Sequence, residues 1–466
     1  MFVEKLARFL ALEADQDDRG YWIRLIGFAF LVRIIVVFAA LGRLPLIADA
    51  DSYSREALLI LGGARDQVPY FWPPGMPYLL SVVYTFLPAS LLVGRLVALV
   101  ISLAHVALVA AVARQASSNR VAARLAGWLA AVYPPDVLMA GQTFSYPLTG
   151  VCVLAFVACV FAVRDRDRVG PMGGAGLALG FGVLVRPSTL ASFAALPLWD
   201  LWRRGANARA GRASGMPWAQ WLVVLAIAGF MVLPAVLHNG RSGGGYTIST
   251  NNEWNFFVGN NRYTHHYKTG HFGQRTLDQL PPEIARYFGE LLRRNDSRPA
   301  MVAEARRFIL EHPFTTAWRS LSRIRAFWGF DHTMTRQIEH ALSLRAFEMG
   351  ALLAIEAGGY VAAMILVLVG LWCGWDRLDA ERAWFLLGIV AAFQLPYALA
   401  FASSVYHVPV MGLLLVFAGA GAQRLLALGA TPPALASGDR RWALLISLVL
   451  FLLVQVEYGY YLVAVR

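Results

Sequence analysis

The chain has 466 residues, of which 58% are hydrophobic and 15% are charged, and its mean hydropathy is +0.53. Soluble domains are nearer half apolar and a quarter charged, so the composition excludes an ordinary soluble protein and predicts a membrane protein. The net charge of +12 comes mostly from Arg at the ends of apolar runs. Membrane orientation explains that placement, and we therefore expect no nucleic acid partner.

Apolar runs along the chain are about long enough to cross a hydrocarbon core of roughly 30 Å. They predict an all-α polytopic membrane protein with about eleven transmembrane helices, in a range of about nine to thirteen. Spans are expected near residues 28–41, 91–113, 121–137, 143–163, 172–185, 188–202, 217–238, 348–372, 383–402, 408–428 and 441–463. Within them, the stretch from Gly170 to Gly182 predicts close helix packing.

The chain then divides into three parts. Residues 1–238 form an N-terminal transmembrane core whose first outer loop, 43–90, includes a half-embedded helix after Pro77. Residues 239–347 form a large periplasmic loop with amphipathic helices, and residues 348–466 form C-terminal transmembrane helices. The short Arg-rich loops are cytoplasmic in this arrangement, at 114–124, 164–168 and 203–212. The expected location is the inner (plasma) membrane, with chemistry in the two outer loops, because unpaired backbone is not tolerated in hydrocarbon.

Two carboxylates open the first outer loop, in Asp49-Ala50-Asp51-Ser52-Tyr53. A helix is expected to begin here, with Asp51 or Ser52 as its N-cap and Glu56 placed for a capping box. Capping alone would explain one of the two carboxylates. The other is a candidate catalytic base, and the sequence pattern does not show whether that residue is Asp49 or Asp51.

The second outer loop contains a run from Gly243 to Asn261 in which hydroxyl and amide side chains alternate with aromatic ones. This composition suits the hydroxyls of a sugar and the oxygens of a phosphate, while aromatic rings cover apolar faces. Asn251, Asn260 and Asn261 are therefore candidate substrate-binding residues. Asn-rich turns are the structural alternative.

A helix is predicted over 314–330, with Phe314, Trp318 and Leu321 on one side and Arg319 and Arg323 on the other. Such a helix would lie on the membrane surface with its Arg side chains at headgroup depth. From residue 239 to residue 345 there are fifteen Lys and Arg against nine Asp and Glu, which favours an anionic ligand or lipid at this face.

Arg186 and His407 are two further polar residues at the outer ends of apolar runs. An ionisable residue at this depth is a site hypothesis, and an anion is the expected partner of Arg186. His407 is a candidate binding residue, with a structural hydrogen bond as the alternative role.

A series of short motifs carries a resemblance that covers the chain to about residue 430. It consists of Asp49 with Tyr53 and Ala57, Pro73-Pro74-Gly75-Met76-Pro77, Tyr133-Pro134-Pro135, Gly180, Arg186-Pro187-Ser188, Ile248-Ser249-Thr250-Asn251, Gly259-Asn260-Asn261 and His407-Val408-Pro409. The chain resembles the bacterial GT-C membrane glycosyltransferases of the dolichyl-phosphate-mannose protein mannosyltransferase type, which are relatives of the lipid A aminoarabinose transferases.

The resemblance implies a GT-C fold and a polyprenyl-phosphate sugar donor that enters from the bilayer. It places the catalytic Asp at Asp49, four residues before Tyr53, with Asp51 as the fallback. Tyr53 and the binding candidates above would then contact substrate. Many relatives have a Ser-Glu pair where this chain reads Ser145-Tyr146. The missing Glu leaves a divalent metal open but unsupported, so no metal ligand and no cofactor is predicted.

The expected activity is that of an inverting glycosyltransferase, a hexosyl- or pentosyltransferase that moves a sugar from a polyprenyl-phosphate donor to a lipid, glycan or protein acceptor. One base for the acceptor and one Arg for the phosphate are sufficient for this chemistry. The partners would be the donor, the acceptor and membrane lipids. The alternative is a transporter or flippase of lipid-linked sugars, although the expected paired broken helices in matching halves are missing from the sequence.

Overall fold

A computed structural model describes residues 18–166, 170–209, 218–264, 278, 280–294, 296–430 and 438–464. Helices make up 82% of the structure and no strand occurs in these ranges, which confirms the all-α prediction. The cytoplasmic loops predicted at 164–168 and 203–212 lie partly outside the described residues, as does part of the large loop.

The first half of the chain forms ten α-helices. They are α1 (Asp18–Ile34, continued by a π-helical segment Ile35–Ala40), α2 (Asp49–Leu61), α3 (Gly75–Phe86), α4 (Leu91–Ala116), α5 (Arg120–Val132), α6 (Pro134–Met139), α7 (Ser145–Arg166), α8 (Gly170–Val185), α9 (Leu190–Arg209) and α10 (Trp218–Arg241). A 3₁₀ turn, Pro187–Thr189, joins α8 to α9. The second outer loop follows α10.

The second half begins with the helices of that loop. They are α11 (Asn251–Gly259), α12 (Pro282–Leu292), α13 (Ser297–Glu311), α14 (Pro313–Phe327) and α15 (Thr333–Leu342). The membrane helices after them are α16 (Ala346–Cys373), α17 (Ala380–Leu399), α18 (Val408–Ala430) and α19 (Gly438–Ala464), with a 3₁₀ turn, Ser404–His407, before α18. The helix α18 lies at the centre of the bundle, where it packs against α5, α7 and α16.

Eight helices among the described residues are long and apolar enough to cross a membrane, which makes the chain a multi-pass membrane protein. They are Asp18–Ala40, Leu91–Ala116, Ser145–Val163, Gln220–Arg241, Ala346–Cys373, Ala380–Leu399, Ser404–Ala427 and Gly438–Leu462. The predicted count of eleven is not confirmed. The run near 121–137 breaks at Pro134, α8 has only 16 residues, and α9 contains Pro197 and four charged residues in its second half.

A buried polar cluster supplies hydrogen-bond partners at the break before Pro134. Proline has no backbone N–H, so carbonyl groups of the preceding turn lose their partners. The guanidinium group of Arg33, on α1, donates to the carbonyl of Ala131 at 2.8 Å and to Asp136 at 3.0 Å. Both charged side chains are fully buried. The sequence analysis did not predict this pair. It holds the last turn of α1 in place, and the chain continues from there to the turn that contains Asp49.

The glycine-rich helix α8 packs closely against α10, as predicted. A Cβ atom at Gly176 would lie 2.8 Å from the Cβ of Ile227, and one at Gly180 would lie 2.8 Å from the Cα of Ala228. Only glycine permits this approach of the two helices. The contacts advance in the same direction along both helices, so α8 and α10 run parallel.

The first outer segment departs from the prediction at its helix start. The helix α2 begins at Asp49, two residues before the expected N-cap, and no side chain caps it. The predicted caps, Asp51 and Ser52, therefore lie inside the helix. Glu56 forms an ion pair with Arg65 and makes no capping box. The predicted half-embedded helix is α3, which begins at Gly75.

Candidate active site

Asp49 lies shortly after the end of the first span and is held by contacts on both sides. The backbone N–H of Ile47 donates to the side chain of Gln142 at 3.1 Å, and the hydroxyl of Thr143 donates to the carbonyl of Ala50 at 3.2 Å. Between them Ala48 has a φ of 49°, a left-handed conformation that strains a residue with a Cβ. The tight turn fixes Asp49 beside the segment that begins α7.

Ser145, the first residue of α7, joins two of the predicted site residues. Its hydroxyl oxygen accepts a hydrogen bond from Arg186 at 3.1 Å and another from the hydroxyl of Tyr53 at 3.3 Å. Tyr53 follows Asp49 by one helical turn on α2, so both face the same side. The structure thus brings Asp49, Tyr53 and Arg186 into one group.

Aromatic rings and hydroxyls surround the guanidinium group of Arg186. Its Cζ lies 4.2 Å from the ring centre of Tyr146 and 5.3 Å from that of Tyr406, distances typical of cation–π contacts. It also donates to the hydroxyl of Tyr397 at 3.4 Å, which shares a hydrogen bond of 2.8 Å with Ser188. The buried Nε of Arg186 has no hydrogen-bond partner among the described residues.

Burial raises the pKa of Asp49, and the charge of Arg186 acts in the opposite direction. A raised pKa makes the carboxylate a stronger base than an ordinary Asp carboxylate. Burial also raises the pKa of Tyr53, so its hydroxyl remains protonated and can donate. The group thus combines the carboxyl group of Asp49 with the guanidinium group of Arg186.

Asp51 forms an ion pair outside the group of Asp49, Tyr53 and Arg186. Its carboxylate forms an ion pair of 3.0 Å with Arg55, one turn further along α2, and both side chains are largely exposed. An exposed pair of this kind contributes little to stability. Of the two carboxylates left open by the sequence, only Asp49 is coupled to Arg186.

The three candidate Asn residues are bound to backbone. The N–H of Asn251 lies 3.3 Å from the carbonyl of Phe71, so it ties the second outer loop to the first. Asn260 and Asn261 follow α11 and are fully buried; their amide groups donate to the carbonyls of Leu399 and Phe257, each at 2.9 Å. The turn at Asn261 confirms the structural alternative there, because its side chain accepts from the N–H of Tyr263 at 2.8 Å.

Arg319 and Arg323 form the expected face of a helix, α14, but the predicted orientation of that face was wrong. Both guanidinium groups point into the protein and are almost completely buried, while Phe314 and Trp318 are exposed. Arg319 donates to the carbonyls of Asn261 and Thr264, and Arg323 donates to those of Gly259, Ala398 and Leu399.

These carbonyls lie at and just beyond the C-terminal ends of α11 and α17. The last carbonyls of a helix have no partner within it and carry a partial negative charge, so two helix ends compensate the two buried cations. Burial lowers the pKa of both groups to about 10, and both therefore remain charged at neutral pH. The sequence pattern showed that α14 has an apolar face and a charged face. It did not show which of the two faces is buried inside the protein.

His407 is also fully buried and makes two hydrogen bonds. Its Nδ1 lies 2.7 Å from the carbonyl of Phe327, and its Nε2 lies 3.0 Å from the carboxylate of Asp331. Both ring nitrogens are thus bound to groups of the protein itself. Its neighbour Tyr406 contacts Arg186 instead.

A divalent metal does not fit this group. Within the described ranges, no three His, Cys, Asp or Glu side chains are placed to hold a metal ion. Tyr146, at the position where the resemblance expects Glu, lies against the guanidinium group of Arg186. An aromatic ring there offers no ligand to a hard cation, which prefers carboxylate and carbonyl oxygens.

Sequence reasoning missed the contacts of Ser145, Tyr146 and Tyr397 with Arg186. Ser145 and Tyr146 had been singled out only as a departure from a motif, and Tyr397 carried no signal. Each of them lies near the outer end of a predicted span, as Asp49 and Arg186 do. Clustering of hydroxyl groups at these ends is the pattern that would have found them.

No protein-family model and no curated protein sequence matches the chain. Among solved structures, the apo oligosaccharyltransferase of Archaeoglobus fulgidus has a TM-score of 0.50 at 14% identity over 92% of this chain. This chain spans 55% of the length of that enzyme. The chain has the GT-C fold.

Two other similar structures have lower scores. The same archaeal enzyme in complex with an inhibitory peptide and a dolichol-phosphate has a TM-score of 0.48 at 12% identity, over 95% of this chain and 55% of its own. ArnT from Cupriavidus metallidurans has a TM-score of 0.37 at 12% identity, over 88% of this chain and 80% of its own. At such identities the likeness concerns the GT-C fold alone.

Proposed function

We propose that the chain is an inverting glycosyltransferase that moves a sugar from a polyprenyl-phosphate donor to a lipid, glycan or protein acceptor. The observation that carries the proposal is the grouping of Asp49 with Arg186 at the outer ends of two apolar helices, joined through Tyr53 and Ser145. A base for the acceptor and a cation for the phosphate are the two groups that this transfer requires.

In the proposed reaction, the carboxylate of Asp49 takes the proton of the acceptor hydroxyl or amine. The acceptor atom forms a bond to the anomeric carbon while the bond from that carbon to the phosphate oxygen breaks. The electron pair leaves with the polyprenyl phosphate. Attack and departure on opposite faces of the sugar invert the anomeric centre, by analogy with inverting glycosidases.

Arg186 is suited to the departing phosphate for two reasons. Its planar fork can donate two parallel hydrogen bonds to phosphate oxygens, and its Nε–H is still without a partner. Its charge is held by rings and hydroxyls rather than by a hydrogen-bonded carboxylate. An incoming phosphate therefore does not need to displace an anion from it.

The proposed setting is the periplasmic face of a bacterial-type inner membrane. It is supported by the Arg-rich loops at the opposite ends of the same spans, where cytoplasmic residues are expected. The donor phosphate would then reach Arg186 at headgroup depth, with its lipid chain in the bilayer. A glycan, lipid or protein acceptor would approach from the aqueous side.

The experiment that tests the proposal is transfer of a labelled sugar from polyprenyl phosphate by the purified protein, with a panel of acceptors. Asp49→Asn should reduce kcat by a factor of about a hundred to ten thousand at unchanged expression, as is usual for loss of a general base. Asp51→Asn is the matched control and should retain turnover. If both variants retain it, the mechanism is wrong; movement of the intact donor across vesicles without transfer would favour a flippase.

A further inference from the structure

A polar pocket lies at the opposite end of the first span from the candidate active site. It has a volume of about 390 Å³. Its walls include Asp18, Tyr21 and Trp22 of α1, Arg114 near the end of α4, and Arg120 and Arg124 at the start of α5. The span from Asp18 to Ala40 has 23 residues, and at about 1.5 Å per residue that length is about 35 Å. The pocket therefore faces the membrane leaflet opposite to Asp49.

One carboxylate in this pocket is shared by three Arg side chains. The Oδ2 atom of Asp18 lies 3.0 Å from the Nη2 atom of Arg114. Its Oδ1 atom lies 2.6 Å from Nη2 of Arg120 and 3.2 Å from Nη2 of Arg124. A single carboxylate offsets one of three cations, so the described residues that line the pocket keep an excess of two positive charges. The carboxylate also marks a point at which all three guanidinium groups reach one anion.

Arg124 is built into the floor of the pocket, whereas the other two Arg reach it from the surface. Arg124 is only 3% exposed, and its Cζ lies 5.4 Å from the ring centre of Tyr21. The hydroxyl of Tyr21 donates in turn to the carbonyl of Arg124 at 3.2 Å. The side chains of Arg114 and Arg120 are 63% and 48% exposed. A buried cation whose carboxylate is shared is costly to hold, so a second anion here would stabilise the arrangement.

The turn between α4 and α5 holds the wall of the pocket in a fixed position. The backbone N–H of Ser118 donates to the carbonyl of Arg377 at 2.9 Å, and that of Asp379 donates to the carbonyl of Ala116 at 2.8 Å. Between these contacts lies Ser117, which lines the pocket and whose buried hydroxyl has no hydrogen-bond partner among the described residues. A hydroxyl can donate to a phosphate oxygen, so the pocket offers a neutral donor beside its three cations.

The position of the pocket favours a lipid as the source of the anion. Little of the span that begins at Asp18 is buried inside the protein, and Ile23 is 63% exposed. Trp22, in the wall of the pocket, lies at the end of this span, where Trp residues are enriched at the boundary between membrane and water. Basic pockets between transmembrane helices at this depth bind anionic headgroups, and guanidinium groups suit phosphate oxygens.

We propose that this pocket binds the phosphate group of an anionic phospholipid from the leaflet opposite to the candidate active site. The phosphate shares the guanidinium groups of Arg114, Arg120 and Arg124 with Asp18. The excess of two positive charges selects an anionic lipid over a zwitterionic one, because the latter brings a cation of its own. A free phosphate ion has the same chemistry, and it differs from the lipid in lacking contact with the wall at Trp22.

Photolabelling distinguishes the two sources of phosphate. The full chain, in vesicles of phosphatidylcholine, is irradiated with phosphatidylglycerol that carries a diazirine near the glycerol end of one acyl chain. The label should appear on α1 near Trp22, and an excess of unlabelled phosphatidylglycerol should suppress it, while inorganic phosphate should not. Equal suppression by inorganic phosphate would assign the pocket to a soluble ion and overturn the lipid. Labelling that neither competitor suppresses would show contact with bulk lipid alone, with the same consequence.

Variants with single charge changes then test the pocket itself. Arg120→Gln should raise the concentration of phosphatidylglycerol that half-saturates the label about fivefold, as for loss of one basic residue at an anionic membrane surface. Arg440→Gln, at an exposed position at the start of α19, removes the same charge outside the pocket and should leave this concentration unchanged. Equal effects of the two variants would mean that only the overall surface charge attracts the lipid, which overturns the proposal.

Asp18→Asn provides the opposite test. It removes the carboxylate that shares the three guanidinium groups, so it should lower the half-saturating concentration of phosphatidylglycerol about fivefold. A purely structural ion-pair cluster gives no such gain, because the Arg side chains would then lose their only function. Unchanged or weakened labelling in Asp18→Asn therefore contradicts the proposal. Neither measurement involves sugar transfer, so both stand apart from the proposed function.

Discussion

Two sets of Arg residues were candidates for binding an anion, Arg186 on the one hand and Arg319 with Arg323 on the other, and they differ in burial and in their partners. Arg186 is surrounded by tyrosine rings and hydroxyls and keeps one N–H without a partner. Arg319 and Arg323 donate to carbonyls at two helix ends, which binds α14 to the end of α11 and to the end of α17. In sequence all three are Arg residues at the outer face, so the surroundings and not the residue type indicate which one is available to a ligand.

The largest effect should follow replacement of Arg186. Arg186→Lys keeps the charge but loses the planar fork, and we expect transfer to fall by a factor of about a hundred, as for removal of a donor that stabilises a developing anion. Thermal unfolding in detergent should be unchanged. If this variant is fully active while Arg319→Ala or Arg323→Ala is inactive at normal stability, the phosphate site lies on α14 and not at Arg186.

Replacement of Arg323 should act on stability. Arg323→Met leaves buried carbonyls at the ends of α11 and α17 without donors, and each such group costs about 1 to 3 kcal/mol. We expect a loss of about 3 kcal/mol in the free energy of unfolding, with turnover per folded molecule within a few-fold of normal. Arg306→Met, at an exposed position of α13, should change stability by less than about 0.5 kcal/mol.

The contribution of the aromatic rings around Arg186 can be tested at Tyr146. Tyr146→Ala removes the ring beneath Arg186, a contact worth about 0.5 to 2 kcal/mol, so we expect kcat/KM to fall about tenfold. Tyr146→Phe keeps the ring and should stay within about twofold. Equal losses in the two variants would show that the hydroxyl is the important part and that the ring does not hold the guanidinium group.

The sequence predicted the membrane class, most helix positions and three members of the candidate site, Asp49, Tyr53 and Arg186, because these depend on local patterns. Long apolar runs locate spans, and Asp49 and Arg186 were found as charges at the ends of such runs. The helix α2 could not be placed to the residue, since its start depends on Ala48 adopting a left-handed conformation that Gln142 and Thr143 hold from the other side of the turn.

The rest of the site depends on contacts between distant parts of the chain. Tyr397 lies 211 residues from Arg186, and Ser145 lies 41 residues from it, so no local pattern links them. The reversed face of α14 has a related cause. An amphipathic helix predicts two faces, but in a membrane protein the apolar face can point outward, provided that the polar face finds partners inside. Helix ends supplied those partners for Arg319 and Arg323.

The smallest expected effect is a shift along the pH axis of the acid limb of the pH–activity profile. This shift distinguishes Arg186 from Arg319 and Arg323. In the proposed reaction Asp49 accepts a proton as a carboxylate, so activity should fall as the pH drops through its pKa. Burial raises that pKa and the charge of Arg186 lowers it. The limb should therefore lie above the value of about 3.9 for an ordinary Asp. In Arg186→Gln the opposing charge is gone, the pKa rises further, and the limb of the residual activity should move to higher pH. Arg323→Met should leave the limb in place, because Arg323 is not among the charges that act on Asp49. The pH dependence of kcat/KM measures both, and an equal displacement in the two variants would mean that the Arg residues on α14 belong to the same electrostatic site as Arg186.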